Sequence, residues 1–185
     1  MSNFICEAVE SHGFTLEVGI DEQPDDFCDP MQQDRIGTLV TWHKRYDLGD
    51  RQIRSHEELE DLIPEDAIQL PVYIYDHSGI TISTSPFGCP WDSGQVGVIF
   101  CSRARAREEF GEGAFETAAI AAMESEIKNY NAYLTGEVYY YQVKDPEGNH
   151  LDSCYGFVGD KEYCLEQGRE ALNSAVENGA FMPGL

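Results

Sequence analysis

LPVYIYDHSGITISTSPFGCPWDSGQVGVIF, residues 70–100, holds three β-rich runs separated by two unlike connections. β-branched and aromatic residues dominate QLPVYIY (69–75), GITISTS (79–85) and QVGVIFC (95–101), and turn-forming residues bound each run. DHSG closes the first connection quickly, whereas PFGCPWDSG makes the second long and rich in Pro and Gly. This pattern predicts an antiparallel meander.

The flanking segments extend that framework. RIGTLVTWH (35–43) places Ile36, Thr38, Val40 and Trp42 on one face at period two, which predicts a strand, and KRYDLGD (44–50) leaves it through a turn. Ser55 and Glu58 in SHEELEDLI form a capping box opening a short helix stopped by Pro64. Ile120, Met123, Ile127, Tyr130 and Leu134 repeat at 3, 4, 3, 4 spacing, an apolar stripe on a helix that ends before Gly136. EVYYYQV (137–143) and HLDSCYGF (150–157) flank DPEGN as a hairpin. Asp160 caps a last helix with Leu165, Leu172 and Val176 inward, ended by Asn178-Gly179. The expected fold class is α+β: a mainly antiparallel sheet of five or six strands, meander plus hairpin, with helices packed on it.

At 185 residues the chain is long enough for one real core. Residues 21–34, DEQPDDFCDPMQQD, have loop composition, so 1–34 reads as an acidic N-terminal arm with FTLEVGI (14–20) as its one strand candidate. Residues 35–185 read as a single α+β domain.

Charge narrows the partners. The chain carries 34 acidic and 12 basic residues, a net of −22. Residues 1–34 hold nine acids and no Lys or Arg, 35–107 ten against eight, and 108–185 fifteen against four. The acidity therefore belongs to the two ends. A field of this sign repels nucleic acid and anionic membrane and favours a basic partner, the commonest strongly basic surfaces being those that bind nucleic acid. Solubility or halophilic adaptation would also account for the acid. The candidate partner-binding carboxylates are Asp21, Glu22, Asp25, Asp26 and Asp29 on the arm, with Glu108, Glu109, Glu112 and Glu116 around the start of the long helix. At a helix N-terminus, carboxylates also complement the macrodipole.

The six cysteines show no C-x-x-C pair and read as reduced thiols. MSNFICEAVESHG lacks the basic start and apolar run of a signal peptide, and no segment has the ~20 apolar residues of a membrane helix, so a cytoplasmic protein is expected. No cofactor or metal is expected. His43, Cys89, His150 and Cys154 lack a recognised zinc-ligand spacing, DEQPDDFCDP lacks the order of a calcium loop, and no Walker or G-x-G-x-x-G stretch occurs.

SPFGCPWDSGQVG (85–97) concentrates a thiol (Cys89), an indole (Trp91), a carboxylate (Asp92) and a hydroxyl (Ser93) within five residues. A nucleophilic Cys needs a base in hydrogen-bond reach. In a meander, His77 lies at the far end of the 79–85 strand, more than ~15 Å away at ~3.3 Å per residue, leaving only His43 or His150. The structural alternative has Pro86 and Pro90 stiffening the loop, Asp92 forming an Asx turn, Trp91 folding back over apolar surface and Cys89 as a small buried hydrophobe.

IGTLVTWHKRYDLGD (36–50), the 70–100 stretch, and YLTGEVYYYQV with HLDSCYGFVG (133–159) together resemble a group of uncharacterised proteins carried by bacteriophages and mobile elements. The resemblance implies a protein made in the cytoplasm of an infected host cell and carries over no site residue. With the charge, it raises the expectation of a DNA-mimic inhibitor of a basic host nucleic-acid-binding defence protein, of anti-CRISPR or antirestriction type. The alternatives are a small Cys-dependent enzyme using the 85–97 loop and an acidic accessory protein without mimicry.

Overall fold

The computed structural model describes residues 4–180. In chain order the elements are β1 (Ile5–Ser11), β2 (Phe14–Ile20), β3 (Thr38–Thr41), β4 (Arg51–Gln52), α1 (His56–Leu62), β5 (Ile68–Asp76), β6 (Ile80–Ser83) and β7 (Ser93–Cys101). There follow α2 (Arg103–Phe110), α3 (Phe115–Leu134), β8 (Val138–Lys144), β9 (His150–Val158) and α4 (Lys161–Ala180). The fold class is α+β, with two antiparallel-rich sheets and helices packed on them. No helix among the described residues is long and apolar enough to cross a membrane.

The chain divides into two compact units, one formed by residues up to Asp29 together with those from Gly136 onward, the other by Pro30–Thr135. This differs from the arm over 1–34 and the single domain over 35–185 read from the sequence. Residues 5–20 form two paired strands rather than an arm. His12 and Gly13 both have positive φ (53° and 84°), the two-residue turn that closes β1 onto β2 as a hairpin. β2 then pairs antiparallel with β8, giving a four-stranded sheet in the order β1-β2-β8-β9.

Period two aims Leu16, Val18, Tyr141 and Val143 at one face of this sheet, where they meet Cys164 and Leu172 of α4. Asp160 caps that helix by accepting from the Tyr163 N–H at 2.8 Å. Leu165 and Val176 pack at the margin of the cluster, as their spacing predicts. The helix continues through Gly179, where a Cβ would sit 2.6 Å from the Phe14 ring, so this glycine serves close approach.

In the second unit the strand order is β4-β3-β7-β5-β6, antiparallel except for the short β3–β4 pair. The meander is thereby corrected: β7 lies between β3 and β5, and β6 is the edge. Consecutive residues Val96–Ile99 are buried, as a central strand covered on both faces requires, whereas β6 has only four residues. β3 is also buried on successive residues, Leu39, Val40 and Thr41, rather than on one alternating face. The buried Thr41 hydroxyl donates to the Leu48 carbonyl at 2.7 Å. Met123, Ile127 and Tyr130 of α3 join Leu39, Val72, Ile74, Val96 and Ile99 in the core, confirming the apolar stripe. The Ser55 cap accepts from the Glu58 N–H at 3.3 Å, and the Glu58 carboxylate reaches back to the Arg54 N–H.

Candidate functional site

Central placement of β7 changes the 85–97 loop. The chain leaves β6 and returns across the end of β5, so that Ser93 pairs with Tyr75 and the Asp92 carbonyl accepts from the Asp76 N–H at 2.8 Å. His77 follows directly on β5. Its Nδ1 lies 3.5 Å from Asp92 Oδ2, and the Cys89 thiol donates to the same oxygen at 3.8 Å. The separation of His77 from Cys89 expected for a meander is thus overturned, because the topology folds the loop back onto the β5 end. The order is thiol, carboxylate, imidazole. A carboxylate rather than a ring nitrogen sits beside the sulfur, which is not the Cys–His contact that nucleophilic activation uses.

Other loop expectations are also corrected. Trp91 does not fold back over apolar surface; its relative exposure is 91%. Asp92 spends its carboxylate on Cys89 and His77, while the loop is closed by the Ser93 hydroxyl donating to the Cys89 carbonyl. Cys89 is half-buried, not a core residue. Beside the loop, Asp76 accepts from the Tyr46 hydroxyl at 3.0 Å and pairs with Arg45 at 3.3 Å. Burial of the ring, reinforced by that carboxylate, holds the Tyr46 phenol above its ordinary range.

The remaining thiols separate by burial. Desolvation pushes Cys164 up to about 12 and also raises Cys101, both of which are buried, whereas Cys154 is exposed. Iodoacetamide on the native protein, read by peptide mass spectrometry, is expected to modify Cys154 early and Cys101 and Cys164 only on unfolding. Cys89 is expected to react no faster than Cys154. Selective rapid labelling at Cys89 would show an activated thiol that this geometry does not provide.

The two acidic sets fall in different units. Asp21 accepts from the Gln23 N–H, and Asp25 caps a 3₁₀ turn over Asp26–Cys28 by accepting from the Phe27 N–H, both at 3.1 Å. Glu22, Asp25 and Asp26 are exposed and Asp29 is half-buried. These turns order the segment, and it packs on β9. Glu108 and Glu109 do not open the long helix as expected; they lie in the last turn of α2, before the Gly111 cap at φ 75°. Glu112 occupies the connection and Glu116 the first turn of α3. The single helix implied by their spacing is broken because Gly111 and Gly113 interrupt it. Two of this set are internally neutralised, Glu116 by Arg103 and Glu112 by Arg107, the latter at 3.4 Å.

Folding the chain ends together concentrates charge. The unit built from the ends carries 17 acidic and three basic residues, a net of −14, against −8 for residues 30–135. Its three cations are all engaged within it: Lys144 on Glu17 at 2.7 Å, and Lys161 and Arg169 on Glu7 at 3.3 and 3.8 Å. Comparison with protein-family models, curated proteins and solved structures finds no match to this chain.

Proposed function

We propose that the protein is an acidic decoy: its terminal unit occupies the basic nucleic-acid-binding surface of another protein, and so inhibits it. The observation that carries this reading is the net charge of −14 on one compact unit whose every Lys and Arg is already paired. Carboxylates would replace phosphates against Lys and Arg, releasing the counterions those cations hold, so association is fast and weakened by salt. The Asp21–Asp29 segment is the proposed contact, since Glu22, Asp25 and Asp26 are exposed on a segment whose turns Asp21 and Asp25 close. The Glu108–Glu116 set contributes less, as two of its four carboxylates are bound by arginines. We further propose that the target is a basic host defence protein of the restriction or CRISPR type.

The test uses immobilised full-length protein and host lysate, with bound proteins displaced by duplex DNA. Nucleic-acid-binding proteins are expected in the DNA-displaced fraction. Changing Asp21, Glu22, Asp25, Asp26 and Asp29 to Asn or Gln is expected to slow association and flatten its salt dependence, with little change in the dissociation rate. Retention that duplex DNA fails to displace, or a salt slope indifferent to the five substitutions, would sink the proposal.

A further inference from the structure

The chain has almost three acids for each base, so a cation left without a carboxylate is informative. Eight of its 12 Lys and Arg residues make ion pairs. Among the described residues Lys44, Arg51, Arg54 and Lys128 make none. Three of these four fall within residues 44–54. Lys44 and Arg54 line one cleft of about 600 Å³, together with Trp42, His43, Gln52, Ile53 and Ser55. That volume is in the range of small-molecule sites.

The cleft walls are fixed before any ligand arrives. Ile53 N–H donates to the Thr41 carbonyl at 2.9 Å, tying the wall to β3. The Gln52 amide donates to the His43 carbonyl at 3.1 Å and to the Tyr46 carbonyl, which uses both its hydrogens and leaves Oε1 as an acceptor. His43 accepts at Nδ1 from the Arg45 and Tyr46 N–H groups at 3.3 and 3.2 Å and stacks on the Tyr46 ring. Its neutral form therefore carries the proton on Nε2, a donor with no hydrogen-bond partner among the described residues. The Ser55 hydroxyl accepts from the Glu58 N–H and keeps its own hydrogen to give.

Two cations, two spare donors, one amide acceptor and a half-buried indole call for a ligand with an anionic group at one end and a flat, hydrogen-bonding ring at the other. We propose that this cleft binds a nucleoside monophosphate, the phosphate held by Lys44 and Arg54 and the base by Trp42 and Gln52. Charge selects the monomer over a polymer: one nucleotide brings only about two negative charges, whereas a strand must lie along a protein of net −22. None of the residues lining this cleft belongs to the Asp21–Asp29 segment or to the Glu108–Glu116 set.

The chain has two tryptophans, and Trp91 is 91% exposed, so Trp91→Phe leaves Trp42 as the sole indole reporter at little cost to the fold. AMP and GMP titrated into this variant, with selective tryptophan excitation, are expected to change Trp42 emission saturably. Adding Lys44→Ala or Arg54→Ala should weaken binding about tenfold for each cation, because each removes a charge-assisted phosphate contact. Melting should stay unchanged, as both side chains are exposed and unpaired. No saturable change in folded protein, or an affinity indifferent to loss of both cations, overturns the proposal. So does inorganic phosphate competing as well as AMP, or a single-stranded oligonucleotide binding more tightly than the monomer.

Discussion

Glu126→Ala is expected to destabilise the Pro30–Thr135 unit by about 2–4 kcal/mol, because it strips two buried backbone donors of their only carboxylate. Glu126 reaches from α3 to the chain entering β3, accepting from the Ile36 N–H at 2.7 Å and the Gly37 N–H at 3.0 Å. Gly37 permits the approach, since a Cβ there would lie 2.7 Å from the same carboxylate. Denaturant unfolding at neutral pH measures the loss; a change below about 0.5 kcal/mol would mean the clamp contributes little. Glu126→Gln keeps one acceptor oxygen and should cost less.

The same pair of proteins carries a pH signature. Desolvation raises Glu126 above its ordinary value, outweighing the two N–H bonds and the Arg35 and Arg105 charges that lower it. The folded state then holds this proton more tightly than the unfolded chain. The contribution of Glu126 to stability therefore rises as pH falls through its folded range toward the ordinary carboxylate value, and is complete below it. The stability difference between wild type and Glu126→Gln should widen from pH 7 to pH 5. A narrowing difference would reverse the assignment.

Gly97→Ala is expected to lose about 3 kcal/mol, the upper end for overpacking, and to lower melting by roughly 10 °C. Gly97 faces Thr41 across the β3–β7 ladder. A Cβ there would sit 2.5 Å from the Val40 carbonyl oxygen and 3.0 Å from Thr41 Cγ2. The first of these is backbone, so rotamer change cannot relieve it; the two central strands must separate. Gly94 provides the control. It lies on the same strand with open space where a Cβ would be, and Gly94→Ala should leave melting within a few degrees of wild type. Equal effects at the two positions would show that the close approach does not set the cost.

Short-range patterns were legible where one residue answers to its neighbours in sequence. The Ser55 and Asp160 caps, the α3 stripe and the β8–β9 hairpin depend on spacings of three or four residues or on a local turn, and all appear in the structure. Strand order was not legible in the same way. GITISTS and QVGVIFC both read as β, but only the burial of Val96 to Ile99 on consecutive residues marks β7 as central, and a buried run alone does not name its two neighbours. A β7 placed beside β6 puts the 85–97 loop far from His77; its actual pairing with β5 brings Cys89 and Asp92 back to that turn. FTLEVGI, likewise, was readable as a strand, but its partner β8 begins more than 100 residues later.

Charge shows the same division. The order of residues alone determined that the protein is acidic, that the acid is at the chain ends, and that a polyanionic ligand is disfavoured, because charge sums over segments need no coordinates. Tertiary structure decided that the two acidic ends form one unit, that Arg103 and Arg107 neutralise Glu116 and Glu112, and that Lys44 and Arg54 stay unpaired beside Trp42. Which charges cancel depends on distances of a few ångströms between side chains remote in sequence, since Coulomb energy falls with separation and solvent screens what lies beyond a Debye length. Those distances are set by the non-local pairing of β2 with β8 and by the crossing that brings β7 between β3 and β5.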